Sequence, residues 1–123
     1  KNNQPFMAFG TPGGDSQDQW TLQFFLNYIH FDMNIQESIE SPTFFSIHFP
    51  SSFYPREAYP KHLKIENRFS DKVINELKRR GHEIILDDDW SHGKVMGIRY
   101  DTEQNVILGG VSPRGVIGYG IGW

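Results

Sequence analysis

A proline and two glycines, Pro12 to Gly14, separate a short apolar run from an aromatic-rich amphipathic stretch, and this junction restricts the fold most. The apolar run, residues 6–11, is typical of a short buried strand, which the proline and glycines end. Asp15 or Ser16 is predicted to cap the helix that follows. Large apolar side chains then recur about every 3.6 residues, at Trp20, Phe24, Phe25, Tyr28 and Ile29. The sequence therefore predicts a strand, a tight turn and a helix in this order.

The remaining sequence alternates between helical and strand patterns. Helices are predicted at 34–39 and between Ser70 and Gly81, where a basic last turn precedes the glycine. A proline-rich stretch, 51–60, is predicted to be a surface loop. Strand patterns recur along the rest of the chain, at 43–49, 62–66, 83–86, 94–100, 105–109 and 116–120. This mixture predicts an α+β fold whose C-terminal half is antiparallel.

Composition limits the classes of function. A chain of 123 residues fits one domain, and its 37% hydrophobic share is enough for a packed core. The formal net charge of -3, with no basic block, argues against nucleic-acid binding. No apolar run approaches the roughly 18 residues of a membrane helix. The sequence has no cysteine, which excludes disulfides and thiolate metal sites.

Two adjacent glycines before a helix can create a site for negative charge. Their successive backbone N–H groups form a concavity that attracts anions. A phosphate site lacks the usual support here, because neither a Lys-Ser/Thr pair nor G-x-G-x-x-G spacing is present. An oxyanion hole for acyl transfer uses the same N–H groups. Taken alone, Gly13 and Gly14 favour a tight turn without a ligand.

A second polar cluster is the acidic turn "DDDWSH". Its Asp87, Asp89 and His92 are of types that bind hard cations, but the spacing of a calcium loop is absent. Such charge runs are usually solvated. The five histidines show no H-x-x-x-H pairing, so a zinc site is not expected either. We predict no metal and no organic cofactor.

Four motifs, in order and covering almost the whole chain from Phe9 to Trp123, resemble the γ-glutamyltranspeptidase family. They are "GTPGGD", "MNIQESIESP", "LKIENRFSDKVINELKRRGHEI" and "GGVSPRGVIGYGIGW". In that family they lie in the small subunit. The first motif is most similar to the γ-glutamyltransferase-like or cephalosporin-acylase-like branch.

The resemblance implies an N-terminal-nucleophile (Ntn) hydrolase, with a four-layer αββα sandwich of mostly antiparallel sheets. Such a precursor cleaves itself, and the new N-terminal threonine attacks a small γ-glutamyl amide. On this interpretation Gly13 and Gly14 supply the oxyanion hole, whereas Asp15 and Arg114 support the structure. No metal or cofactor is implied.

The family's nucleophile and the groups that hold the substrate lie upstream of these motifs. Every threonine of this chain is internal: Thr11, Thr21, Thr43 and Thr102. Residues 1–123 are therefore expected to be the C-terminal segment of a small subunit, inactive alone and partnered by the rest of the precursor. Membrane and nucleic-acid partners are not expected, and both cytoplasmic and exported locations stay open.

Two positions depart from the family pattern. Thr43 replaces the arginine of an "APR" motif, and Ser112 replaces the aspartate of an "SDPR" motif, although Arg114 is retained. Each change removes a charge that could orient a loop. A non-catalytic binding or assembly module with the same fold is therefore the alternative hypothesis, and a small phosphate or nucleotide binder is a third.

Overall fold

The computed structural model describes residues 3–115 and 118. These residues form three α-helices and six strands, in the order β1 (Met7–Gly10), α1 (Gln17–His30), α2 (Ile35–Glu40), β2 (Phe44–Ser46), β3 (His62–Glu66), α3 (Asp71–Arg79), β4 (Glu83–Asp87), β5 (Met96–Asp101) and β6 (Val106–Val111). A short 3-10 helix, Gly14–Ser16, leads into α1. No helix of the described residues is long and apolar enough to cross a membrane.

The first sheet has the order β1-β5-β6 and is antiparallel throughout. Helices α1 and α2 pack on one of its faces. Phe24 and Ile39 are each 2% exposed in this core, which also contains Trp20, Ile35 and Val95. Gly110 allows the close approach of α2, because a Cβ atom there would lie 2.7 Å from Ile35 Cγ2. The aromatic residues of the face predicted for α1 therefore pack against this sheet, whereas Ile29, at the end of that face, is exposed.

The second sheet has the order β2-β3-β4, and its topology differs from the sequence prediction. Strands β2 and β3 are antiparallel, but β3 and β4 are parallel, with Leu63 opposite Ile84. Helix α3 lies between these two strands in the sequence and carries the chain back to the end of the sheet where β3 began. Leu63, Ile65 and Ile74 form a second buried cluster here. The C-terminal half is therefore not wholly antiparallel.

The strand predicted at 43–49 is shorter than expected. The strand β2 covers only Phe44–Ser46, and after one more hydrogen bond to β3, from Ile47 N to His62 O at 3.3 Å, the chain turns into a loop that hydrogen-bonds to itself. Within that loop, Tyr59 N donates to Ile47 O at 3.0 Å, and Ser51 N donates to Glu57 O at 2.9 Å. The strand predicted at 116–120 falls almost entirely outside the described residues.

Candidate functional site

The glycine turn adopts a backbone that suits glycine. Gly13 has φ 140° and Gly14 has φ 57°, both in a region that other L-residues seldom adopt. Space is also restricted, since a Cβ atom on Gly13 would overlap the indole of Trp20. A Cβ atom on Gly14 would lie 2.9 Å from Phe53 Cε2. The two glycines are therefore required both by the conformation of the turn and by its packing.

The N–H groups of Gly13 and Gly14 converge on one oxygen position. That position is occupied by the side-chain oxygen of Gln17, the first residue of α1, in the amide orientation that the hydrogen-bond network favours. Both N···O distances are 3.2 Å. All three residues are exposed to solvent. The turn thus presents two donors to a single acceptor at an accessible surface, which is the arrangement needed to bind a negatively charged oxygen.

Asp15 fastens the loop after β2 to this turn. Its carboxylate accepts hydrogen bonds from Ser52 N at 2.8 Å, from Ser51 Oγ at 2.9 Å and from Ser52 Oγ. Hydrogen bonds from the Ser52 side chain, the Ser52 backbone and Ser51 hold the pKa of Asp15 below its ordinary value. Ser16 occupies the predicted N-cap position of α1, but neither it nor Asp15 caps the helix with its side chain. Asp15 instead brings the loop, with Phe53, against Gly14.

We expect Asp15→Asn to release residues 51–54 from the turn, because the amide has one oxygen where the carboxylate has two. Amide hydrogen exchange of this loop should become faster in the variant at neutral pH. In the unsubstituted protein the same loosening should appear only as the pH falls through the lowered pKa of Asp15. Asp18→Asn removes a neighbouring first-turn acid and is the matched control. Unchanged hydrogen exchange in Asp15→Asn would show that the Asp15 carboxylate does not hold this loop against the glycine turn.

Arg114 lies in the core and joins three parts of the chain. Its Nε donates to Glu66 Oε1 at 2.7 Å, and its two terminal nitrogens donate to Ile39 O at 2.6 Å and to Ser41 O at 2.7 Å. Both side chains of the Arg114–Glu66 pair are fully buried. These contacts connect the segment after β6 to the end of α2 and to β3. The structural role of Arg114 stays a prediction, with this geometry in its favour.

Glu66 is surrounded by donors. Thr43 N and His92 N each donate to its carboxylate at 3.1 Å, in addition to the guanidinium of Arg114. Burial raises the pKa of Glu66, but the hydrogen bonds from Arg114, His92 and Thr43 outweigh this effect and hold the pKa below its ordinary value. The His92 ring stacks on Trp20 with centroids 6.2 Å apart. Since Trp20 packs against Gly13, the buried cluster is continuous with the glycine turn.

The two residues that depart from the family pattern make buried hydrogen bonds. Thr43 Oγ1 donates to His92 O at 3.0 Å. Ser112 Oγ accepts from Arg114 N at 3.2 Å and donates to Gly93 O at 3.4 Å. Both side chains are thus part of the polar network around Arg114.

The acidic turn after β4 is paired rather than open to a cation. Asp87 Oδ2 lies 2.7 Å from His92 Nε2 and 3.5 Å from Lys64 Nζ. Among the described residues, no three His, Cys, Asp or Glu side chains are arranged to hold a metal ion. The candidate cation ligands Asp87 and His92 therefore contact each other, and the structure does not group Asp89 with them.

Comparison with known proteins assigns the chain to a family. The model of the γ-glutamyltranspeptidase family matches residues 1–120. The chain belongs to this family. The resemblance inferred from the four motifs is thereby confirmed.

Curated relatives of this γ-glutamyltranspeptidase-family chain are much longer than it is. The glutathione hydrolase-like YwrD proenzyme of Bacillus subtilis is 32% identical over 94% of this chain and 21% of its own length. The glutathione hydrolase proenzyme of Escherichia coli is 23% identical over 94% of this chain and 18% of its own length. The chain thus spans about a fifth of the curated relatives it matches.

Solved structures confirm the fold class. A variant of LmbA2991 has a TM-score of 0.91 and 38% identity, over 99% of this chain and 22% of that one. The cephalosporin acylase of Bacillus halodurans has a TM-score of 0.77 and 30% identity, over 93% of this chain and 19% of that one. A mutant of Helicobacter pylori γ-glutamyltranspeptidase has a TM-score of 0.73 and 29% identity, over 93% and 56%. The segment has the mixed fold, with mainly antiparallel sheets, of the Ntn-hydrolase family members.

Proposed function

We propose that the complete protein hydrolyses or transfers the γ-glutamyl group of small γ-glutamyl amides, and that Gly13 and Gly14 form its oxyanion hole. The observation that carries this proposal is the pair of N–H groups, each 3.2 Å from the same oxygen. Acyl transfer passes through a tetrahedral intermediate whose oxygen is negatively charged. One correctly placed donor to that oxygen lowers the barrier by about 3 kcal/mol. Membership of the γ-glutamyltranspeptidase family supports the same reaction.

In the proposed reaction the nucleophile is an N-terminal threonine in another part of the precursor. Its hydroxyl oxygen attacks the γ-carbonyl carbon, and its proton passes to the threonine's own α-amino group, whose pKa is ordinarily about 8. The carbonyl electrons move to the oxygen, which the N–H groups of Gly13 and Gly14 stabilise. Collapse of this intermediate expels the amine, which takes the proton. Water or an acceptor amine then releases the γ-glutamyl group.

The exposed apolar residues on the outer face of the first sheet are evidence that the rest of the precursor binds to this segment. Ile98 is 53% exposed and Ile107 is 71% exposed on this face, together with Met96 and Tyr100. A sheet with helices on one face and apolar side chains on the other normally has a further layer of protein over it. We infer that the remaining part of the precursor packs here. Its sheet would complete the sandwich of the family.

The first test uses the complete protein, purified and analysed by intact-mass spectrometry and N-terminal sequencing of every chain. We expect one chain to begin with threonine, and the preparation to hydrolyse a γ-glutamyl anilide. Replacing that threonine with alanine is the control and should abolish hydrolysis. A protein with no chain beginning with threonine and no hydrolysis would contradict the proposal and favour the non-catalytic module. The hydrogen bonds of Thr43 and Ser112 give that alternative no support.

A further inference from the structure

We propose that the side-chain amide of Gln17 is a displaceable occupant of the oxyanion hole, which the reacting carbonyl oxygen must replace. This inference rests on the proposed function, because it concerns the same two N–H groups. It rests on the amide orientation assigned from the hydrogen-bond network, in which the Gln17 oxygen lies 3.2 Å from both Gly13 N and Gly14 N. Gln17 is thus a positioning residue that occupies the site in the absence of substrate.

The surroundings of Gln17 allow its side chain to leave while its backbone stays in place. Gln17 N donates to Gly14 O, and Gln17 O accepts from Thr21 Oγ1 at 2.8 Å, so the main chain is fixed at the start of α1. The side chain is exposed, and no other hydrogen bond to it is found among the described residues. Rotation about its side-chain bonds would therefore open the position to another oxygen without moving the helix.

Displacement of Gln17 should be more favourable for the oxyanion of the transition state than for the carbonyl of the bound substrate. A neutral substrate carbonyl gains little by replacing a neutral amide oxygen, since both accept hydrogen bonds of similar strength. An oxyanion gains more, because hydrogen bonds to a charged acceptor are about twice as strong. Gln17 therefore opposes entry of the carbonyl in the ground state and yields to the developing charge. The two N–H groups thus discriminate between the two states, whereas Gln17 adds a cost of displacement that is paid when the oxyanion forms.

The test measures steady-state hydrolysis of a γ-glutamyl anilide by the complete protein and two Gln17 variants. Gln17→Ala empties the position and should raise kcat/KM about threefold, because one competitor for the two donors is removed. Gln17→Glu places a carboxylate there, which binds the N–H groups more tightly than the amide does. It should lower kcat/KM at neutral pH by about tenfold or more.

A charge-matched variant separates occupancy from net charge. Gln17→Glu combined with Asp18→Asn keeps the number of acids in the first turn of α1 unchanged, and it should stay as strongly inhibited as Gln17→Glu alone. In Gln17→Ala, the backbone amide resonances of Gly13 and Gly14 should shift in a ¹⁵N-edited spectrum, because both lose their acceptor. If Gln17 only capped the start of α1 and had no role in the site, Gln17→Ala would show the spectral shift but no rise in kcat/KM.

The outcomes separate this inference from the proposed function. In one outcome, removing the Gly14 N–H lowers turnover but Gln17→Ala leaves kcat/KM unchanged or lowers it. Gln17 then does not occupy the oxyanion hole, and the assignment of the hole to Gly13 and Gly14 is kept. An uninhibited Gln17→Glu variant would overturn the inference equally. If the unsubstituted complete protein does not hydrolyse the anilide, the proposed function itself fails.

Discussion

Replacing the amide of Gly14 with an ester should lower kcat of the complete protein by about 10²- to 10³-fold, the usual loss when one oxyanion donor is removed. The ester substitutes an oxygen for the N–H and keeps the glycine backbone, so the φ of 57° remains accessible. Proline would also delete the N–H, but its φ is fixed near −65°, so it would deform the turn at Gly13 or Gly14. The replacement is made by incorporating glycolic acid at position 14, and hydrolysis of a γ-glutamyl anilide is measured.

The division of the effect between kcat and KM identifies the role of the donor. An interaction made only in the transition state lowers kcat and kcat/KM together and leaves KM nearly unchanged. The control is the same ester replacement at Gly81, whose N–H donates to Lys78 O at the end of α3. This control should retain normal turnover. A Gly14 ester with a normal circular dichroism spectrum and turnover within a few-fold of the unsubstituted protein would exclude Gly14 as an oxyanion donor.

The local pattern of the sequence predicted the elements that form the candidate site, although β1 was expected to be buried and three of its four residues are exposed. The strand, the glycine turn and the aromatic helix follow from residue types that act over a few positions, such as Pro12 and the spacing from Trp20 to Ile29. The structure places Gly13 and Gly14 as that pattern requires. The positive φ of both residues explains why two glycines are needed.

Contacts between residues that are far apart in the sequence could not be predicted from these local patterns. The Asp15 carboxylate binds Ser51 and Ser52, which are 36 and 37 residues away. A local pattern instead predicted a helix cap, because acids near a helix start usually serve that purpose. The parallel pairing of β3 and β4 likewise depends on how α3 crosses the sheet, which strand patterns alone do not specify. Gln17 has no motif of its own, and its position three residues after Gly14 was the only signal.

The second large effect concerns the buried Arg114–Glu66 pair. Arg114→Met should destabilise the complete protein by about 3 kcal/mol, because it removes the guanidinium in closest contact with the buried Glu66 carboxylate and leaves only Arg68 Nη1, 3.5 Å away. Urea-induced unfolding at neutral pH measures this difference. Arg79→Met is the matched control, since Arg79 pairs with Glu76 on the surface and its side chain is 72% exposed. The control should change stability far less, because exposed ion pairs contribute little.

The pH dependence of this loss separates charge from packing. In the unsubstituted protein the lowered pKa of Glu66 stabilises the fold above the ordinary glutamate range, and this contribution is lost as the pH falls through the lowered pKa. Without Arg114, fewer groups offset the effect of burial on Glu66, so its pKa should rise and the acid should become neutral at a higher pH. The difference between the two proteins should therefore shrink on acidification. A difference that stays constant with pH would assign the loss to the packing of the Arg114 side chain instead of its charge. Adding Glu66→Gln to Arg114→Met should likewise recover part of the stability at neutral pH, because the buried charge that has lost its main partner is then removed.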